Sequence, residues 1–213
     1  MIGRLTMLPR IYLIRHGETE WSLSGRYTGR TDLPLTPRGE NIAREVGLRI
    51  AGISFARPMS SPRQRARRTC ELAIPGVTPE TEPDLEEWDY GDYEGKHSAA
   101  VRGMHPDWNL FRDGCPGGEA PSQVSSRADR LIAKLRSLDG NIALVSHGHF
   151  GRVLAARWIG LRVEEARHFL LGPASLSILD YEHEQADSPV IALWNRGPGD
   201  WVQPPSTHAP GAR

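Results

Sequence analysis

Twice in this chain an apolar stretch runs directly into a His-Gly pair. Ile11-Tyr12-Leu13-Ile14 leads into Arg15-His16-Gly17-Glu18-Thr19, and Ile142-Ala143-Leu144-Val145-Ser146 leads into His147-Gly148-His149. Each reads as a buried strand delivering polar groups to its carboxyl end, where glycine lets the backbone turn tightly. In open α/β sheets ligands sit beyond the carboxyl ends of parallel strands, so two such ends can converge on one pocket. A single His-Gly would be read as a strand cap. Two of them, with Arg15 beside the first, are read as a site.

The rest of the chain fits that class. Its 213 residues allow one domain, expected over 1–202, with a sizeable core. The segment 203–213 carries three prolines and is expected to be a disordered tail. The formal net charge is zero, which argues against nucleic acid or an anionic membrane as a partner. Cys70 and Cys115 are the only cysteines, too few for a disulfide framework and expected to be reduced. Neither a signal-type leader nor a membrane-length apolar run is present, so the expected location is the cytoplasm. A homo-oligomer of the same chain is possible on these grounds.

Between the two strands, Glu20 to Pro37 has no sustained period and reads as a long loop over the pocket. Thr36-Pro37 caps and starts a helix to about Ala51. Ile53 to Met59 suggests a strand. Ser61-Pro62 opens a helix whose first turn holds arginines where acids would suit the dipole, a mismatch that makes sense if an anion sits at that helix start. Leu85 to Gly95 is an acidic, aromatic ordered loop, Lys96 to Met104 a short helix, and Trp108 to Gly118 a lid candidate. A helix spans about Ser122 to Leu138, another Phe150 to Ile159, and Leu176 to Tyr181 and Val190 to Trp194 close the chain as strands.

Arg15, His16, His147 and Arg65 therefore gather four cationic or cationisable groups on one side of a sheet. Such a pocket suits a compact anion rich in oxygens, above all phosphate, because guanidinium forks bind two oxygens each. One histidine can be a nucleophile and pass through a phosphohistidine, while the other, protonated, holds phosphoryl oxygens. A carboxyl of the acidic loop, Glu87 or a neighbour, can supply the leaving-group proton. The rival reading is a metal on His147-x-His149. No Asp or Cys follows at ligand spacing, and adjacent arginines would oppose a divalent cation, so no metal and no cofactor is expected.

These residues resemble the signature of the histidine phosphatase superfamily, the branch that includes cofactor-dependent phosphoglycerate mutases. Arg15-His16-Gly17-Glu18-Thr19 with Trp21 is followed by Thr28-Gly29, by Leu35-Thr36-x-x-Gly39 and by Ser61-Pro62-x-x-Arg65-Ala66-x-x-Thr69. Then come Leu85-x-Glu87-x-x-x-Gly91-x-x-Glu94-Gly95 and Val145-Ser146-His147-Gly148. The resemblance implies an α/β fold: a three-layer αβα sandwich around a mostly parallel sheet, phosphoglycerate mutase-like. It implies that His16 is phosphorylated, that Glu87 donates the proton, and that Arg15, Arg65 and His147 bind the phosphoryl group. Ser22 stands where the mutases usually have Asn, and His149 where the family often has Gly or Asn.

The mutases carry a longer insert after the Glu motif and a basic pair for the substrate carboxylate. Here Lys96 to Gly118 is short, and Arg102 and Arg112 are not adjacent. The wording around Glu87 and Phe111 looks most like the sedoheptulose-bisphosphatase group and related bacterial phosphatases. The expectation is a phosphomonoesterase for small sugar phosphates, a sugar bisphosphate among them. A phosphoglycerate mutase is the alternative, and an idle phosphate-binding module ranks below it. Substrate contacts are expected from Ser22, Thr28, Gly29, Trp88, Tyr90, Gly148, His149 and Arg112, with Trp108 beside them and Arg112 on a second phosphate.

Overall fold

The structure, a computed structural model, describes residues 8–199; the expected tail at 203–213 lies outside them. Six strands form one sheet in the order β3-β2-β4-β1-β5-β6: β1 (Arg10–Arg15), β2 (Arg57–Ser60), β3 (Glu80–Thr81), β4 (Asn141–Ser146), β5 (Leu176–Tyr181) and β6 (Pro189–Arg196). The first four are mutually parallel, and β5 and β6 add an antiparallel edge.

The pleat explains why β1 and β4 are nearly continuous apolar runs. Ile11 and Leu13 face one layer, with Ile142 and Leu144, against α6 (Pro121–Arg136) and α7 (Gly148–Trp158). Tyr12 and Ile14 face the other, with Val145, against α2 (Pro37–Arg49) and α3 (Gln64–Ala73). Both faces of these strands are covered, as parallel strands require, and each fully buried Val, Leu or Ile contributes about 1.5–3 kcal/mol. This is the expected αβα sandwich.

Register brings the two histidines together. Arg15 pairs with Ser146 at the carboxyl end of the β1–β4 ladder, and the His16 amide donates to the Ser146 carbonyl at 2.9 Å. His16 and His147 are the next residues on adjacent strands. Their ring centroids stand 5.1 Å apart. Glycine is required here by close approach, since a Cβ on Gly17 would lie 2.5 Å from the Gly39 carbonyl oxygen.

Several elements depart from expectation. The loop from Glu20 contains a short helix, α1 (Glu20–Ser24). Thr19 and Ser22 form a reciprocal capping box, and Gly25 ends the helix in the left-handed region at φ 72°; local hydrogen bonding outweighs the missing period. The second strand begins at Arg57 rather than Ile53. The segment from Trp108 to Gly118 is not a lid. Within it α5 (Leu110–Asp113), which follows α4 (Ser98–Met104), buries Leu110 and Phe111 in the core with Cys115. Trp108 Nε1 donates to the Gly114 carbonyl at 2.9 Å.

Candidate active site

His16 is buried, and its Nδ1 lies 2.7 Å from the Gly17 carbonyl oxygen. A carbonyl only accepts, so Nδ1 carries the proton and Nε2 holds a lone pair. Burial, then the charges of Arg65 and Arg15, push His16 well below the ordinary histidine value. The neutral, single-tautomer ring is the form a nucleophile needs. Arg15 donates to the Leu171 carbonyl, while its buried Nε has no hydrogen-bond partner. An unspent guanidinium donor beside a neutral imidazole is a place for an anionic oxygen.

His147 sits behind His16 with both nitrogens engaged. Its Nδ1 accepts from Arg65 Nε at 3.2 Å, so Nε2 is protonated and donates to Ser61 Oγ at 2.7 Å. Burial and the nearby Arg65 push His147 well below its ordinary value. These surroundings thus favour a neutral ring rather than the protonated one expected. Arg65, fully buried, also donates to the carbonyls of Thr31, Thr28 and Gly29. The anion at the start of its helix is Asp32, whose Oδ1 accepts from the Gln64 amide at 2.8 Å.

Glu87 is held at the start of α7. Oε1 accepts from the Phe150 amide at 2.8 Å and its neighbour Trp88's amide at 3.0 Å, and Oε2 from the His149 amide at 3.0 Å. Burial works to raise Glu87, but His149 and these three amide donors prevail and its value falls below the ordinary one. Arg127 clamps the acidic loop from behind. It donates to the carbonyls of Asp84, Glu86 and Glu87, pairs with Glu119, and lies over the Phe150 ring at 4.3 Å. Sequence reasoning missed Arg127; its signal was an arginine inside the apolar stripe between Val124 and Leu131.

Arg15, His16 and Glu87 open onto one cavity of about 260 Å³. Of the residues expected to contact substrate, Ser22, Thr28, Tyr90, Gly148 and His149 line it. The Ser22 hydroxyl is spent on the Thr19 backbone. Tyr90 Oη and His149 Nδ1 meet at 2.5 Å, and burial takes His149 down to about 4. Sequence reasoning missed Tyr27, Arg26, Arg102 and Arg152, which also line the cavity. Arg152 was readable, because it follows Gly148 and His149 at helical spacing on one face of α7. Tyr27 sits in an aperiodic loop and gave no signal.

Four expected contacts fall elsewhere. Trp88 is fully buried, donates to the Glu119 carbonyl at 3.0 Å and packs edge-on against Phe111. Gly29 gives its amide to Glu94, and a Cβ there would lie 2.6 Å from the Trp88 carbonyl oxygen; it braces the loop. Trp108 packs on Tyr93 and Tyr27. Arg112 is exposed, paired with Asp113 and bonded to the Asp107 carbonyl. The adjacent carboxylate and its position on α5 hold it off the cavity wall. A metal on His147 and His149 finds poor donors, since His147 has committed both nitrogens and His149 Nδ1 meets Tyr90. Among the described residues no cluster of three or more His, Cys, Asp or Glu side chains suits a metal. Among them, too, no helix is long and apolar enough to cross a membrane.

Comparison with known proteins bears on the family and the fold. The model of the histidine phosphatase superfamily (branch 1) matches residues 11–196. Sedoheptulose 1,7-bisphosphatase of Saccharomyces cerevisiae is 33% identical, with 94% of this chain and 96% of that protein covered. An acid phosphatase of Mycobacterium tuberculosis is 39% identical over 86% of this chain and 92% of its own. The solved structure of an open reading frame product from Mycobacterium tuberculosis has a TM-score of 0.81 at 38% identity, covering 88% of this chain and 97% of that one. The family match takes in both histidine-bearing strand ends and all that lies between them: the chain belongs to the histidine phosphatase superfamily and is a phosphatase.

Proposed function

We propose that this phosphatase hydrolyses monoesters of small sugar phosphates in two steps through a phosphohistidine on His16. The observation that carries the reading is the fixed tautomer: Nδ1–H is tied to the Gly17 carbonyl, which leaves the Nε2 lone pair for attack. In the first step Nε2 bonds to phosphorus as the ester P–O bond breaks, and Glu87 gives its proton to the leaving oxygen. In the second, Glu87 takes a proton from water, the water oxygen bonds to phosphorus, and the P–N bond breaks to return neutral His16 and free phosphate.

Arg15 Nε is the donor for a phosphoryl oxygen, and Arg65 supplies positive potential from behind. The His147 Nε2–H, on Ser61 in the free site, can exchange to a phosphoryl oxygen when the dianion arrives and favours its charged form. Cavity size and the aromatic wall of Tyr27 and Tyr90 suit a sugar rather than a macromolecule, in keeping with the bisphosphatase among the relatives.

Acid quench with radiolabelled substrate tests the reading. Wild type should give an acid-labile, base-stable phosphoenzyme, and His16→Ala should fold, lose the adduct and lose nearly all turnover. Hydrolysis by His16→Ala at the wild-type rate would overturn it. A 3-phosphoglycerate assay in parallel separates phosphatase from mutase, with phosphate release the expected product.

A further inference from the structure

The cavity wall holds four arginines, Arg15, Arg26, Arg102 and Arg152, against one carboxylate, Glu87. Many arginines elsewhere take acidic partners, as in Arg30–Asp89 and Arg127–Glu119. No ion pair involves these four among the described residues, and a phosphomonoester dianion neutralises only two positive charges. Arg152 is the most informative. Its Nε and one terminal nitrogen donate to the carbonyls of Ala166 and Arg167, each at 3.1 Å, and its plane lies over Phe111 at 4.5 Å. It is thereby immobilised by neutral partners with no direct ion pair, and the nearest opposite charge, the Glu87 carboxylate, also faces Arg15. Burial draws it down to about 10, which leaves it cationic at neutral pH. Taking guanidinium groups out of water with one carboxylate among them is costly, and a site that does so has room for an anion from outside.

Position separates this charge from the reacting one. Glu87 grips the first turn of α7, next to Gly148, whereas Arg152 lies one turn along the same face, roughly 6 Å further down the axis. Arg102, from α4, and Arg26, beyond the end of α1, are exposed at the cavity.

We propose that Arg152 and Arg102, with Arg26 beside them, form a second anion subsite, so that the preferred substrate is a phosphomonoester with a second acidic group several bonds from the reacting phosphorus. This rests on the phosphatase reading above and names the substrate class for it. The second group is a phosphate or a carboxylate; both are compact oxyanions that a guanidinium fork accepts. The role expected for Arg112 passes to these residues.

The test is kcat/KM on a sugar bisphosphate, a phosphoglycerate, glycerol phosphate and an aryl phosphate, for wild type, Arg102→Ala, Arg152→Met and Arg112→Ala. Methionine keeps an apolar stem against Phe111 and removes the charge. Wild type should favour at least one of the two diacids over glycerol phosphate, and which one it favours identifies the second group. Each cavity variant should lower the diacid-to-monoacid ratio by about ten- to a hundredfold. Arg112→Ala should leave the ratio unchanged. If Arg152→Met melts early, Arg102→Ala, on an exposed position, carries the test alone. Equal losses on all four substrates, or no diacid preference in wild type, would overturn the subsite. The phosphoenzyme trap would be unaffected by that result, whereas its absence would remove the phosphohistidine reading instead.

Discussion

At the scale of single residues, proton placement decides how the site runs. Glu87 must be protonated to help a leaving group, yet three amides hold it below its ordinary value. His16 must be unprotonated to attack, and burial with two arginines keeps it so well below the usual histidine range. Both displacements point the same way. As pH falls, the protonated fraction of Glu87 rises by up to about tenfold per unit while His16 stays neutral, so the proposed mechanism keeps its nucleophile. Turnover of an alkyl phosphate should therefore increase from about pH 7.5 toward 5.5, and a nitrophenyl ester, whose leaving group needs no proton, should increase less. Glu87→Gln should lose this difference between the substrates, since the amide has no proton to give. A profile that falls below about pH 6.5 on both substrates would mean that His16 titrates at its ordinary value. Little of this was legible beforehand. Motif spacing located His16, His147 and Glu87, but which nitrogen holds a proton is set by Gly17, Ser61 and Arg65, through contacts that sequence order does not contain.

At the scale of elements, the site is a set of braces between strand ends and helix starts. Arg127 on α6 fastens the acidic loop through three carbonyls, Glu119 and the Phe150 ring. Arg127→Leu would leave those carbonyls and the Glu119 carboxylate short of donors. The expected loss is about 2–4 kcal/mol of unfolding free energy, with kcat falling more than KM rises because the Glu87 carboxyl loses its support. Urea melts and steady-state kinetics check both halves, and stability within about 0.5 kcal/mol of wild type would show the clamp to be dispensable. The elements themselves were largely readable, for physical reasons. β1 and β4 announce themselves as apolar runs because both faces are covered, and α2 through Thr36 and Pro37 at its start. α1 escaped because a five-residue helix carries no period, although Thr19, Ser22 and Gly25 spelled its caps. The stretch from Trp108 looked like a lid because its aromatics lack a helical repeat. They are instead a plug, with Phe111 between Trp88 and Arg152, and such tertiary burial has no local signature. Arg112 was misplaced for the same reason.

At the scale of the whole molecule, the fold carries three neutral histidines in one buried site, and that ties stability to pH. His16 and His147 lie well below the ordinary 6.5, and His149 is at about 4. In the unfolded chain each titrates near its ordinary value. Between the folded and unfolded values the unfolded state binds more protons, so unfolding becomes easier as pH falls. Above about pH 6.5 there is no penalty; below it each histidine costs up to about 1.4 kcal/mol per pH unit, and the three together about 4 at the steepest. Glu87 acts lower down: its depressed value adds stability above its ordinary 4.5 that is lost as pH falls through the folded value. On the proposed mechanism acid recruits Glu87 as a proton donor while loosening the fold that holds it, and the active range should end where the site histidines begin to charge. Urea midpoints between pH 7.5 and 5 should fall steadily below about pH 6.5, and His149→Asn should remove about a third of the slope. Inorganic phosphate should restore part of the lost midpoint, because a bound phosphate anion favours the charged form of His147 or His16 and binds only the folded chain. A midpoint that stays flat across this range, with or without phosphate, would mean that the three rings open to solvent, and the neutral nucleophile would fall with them.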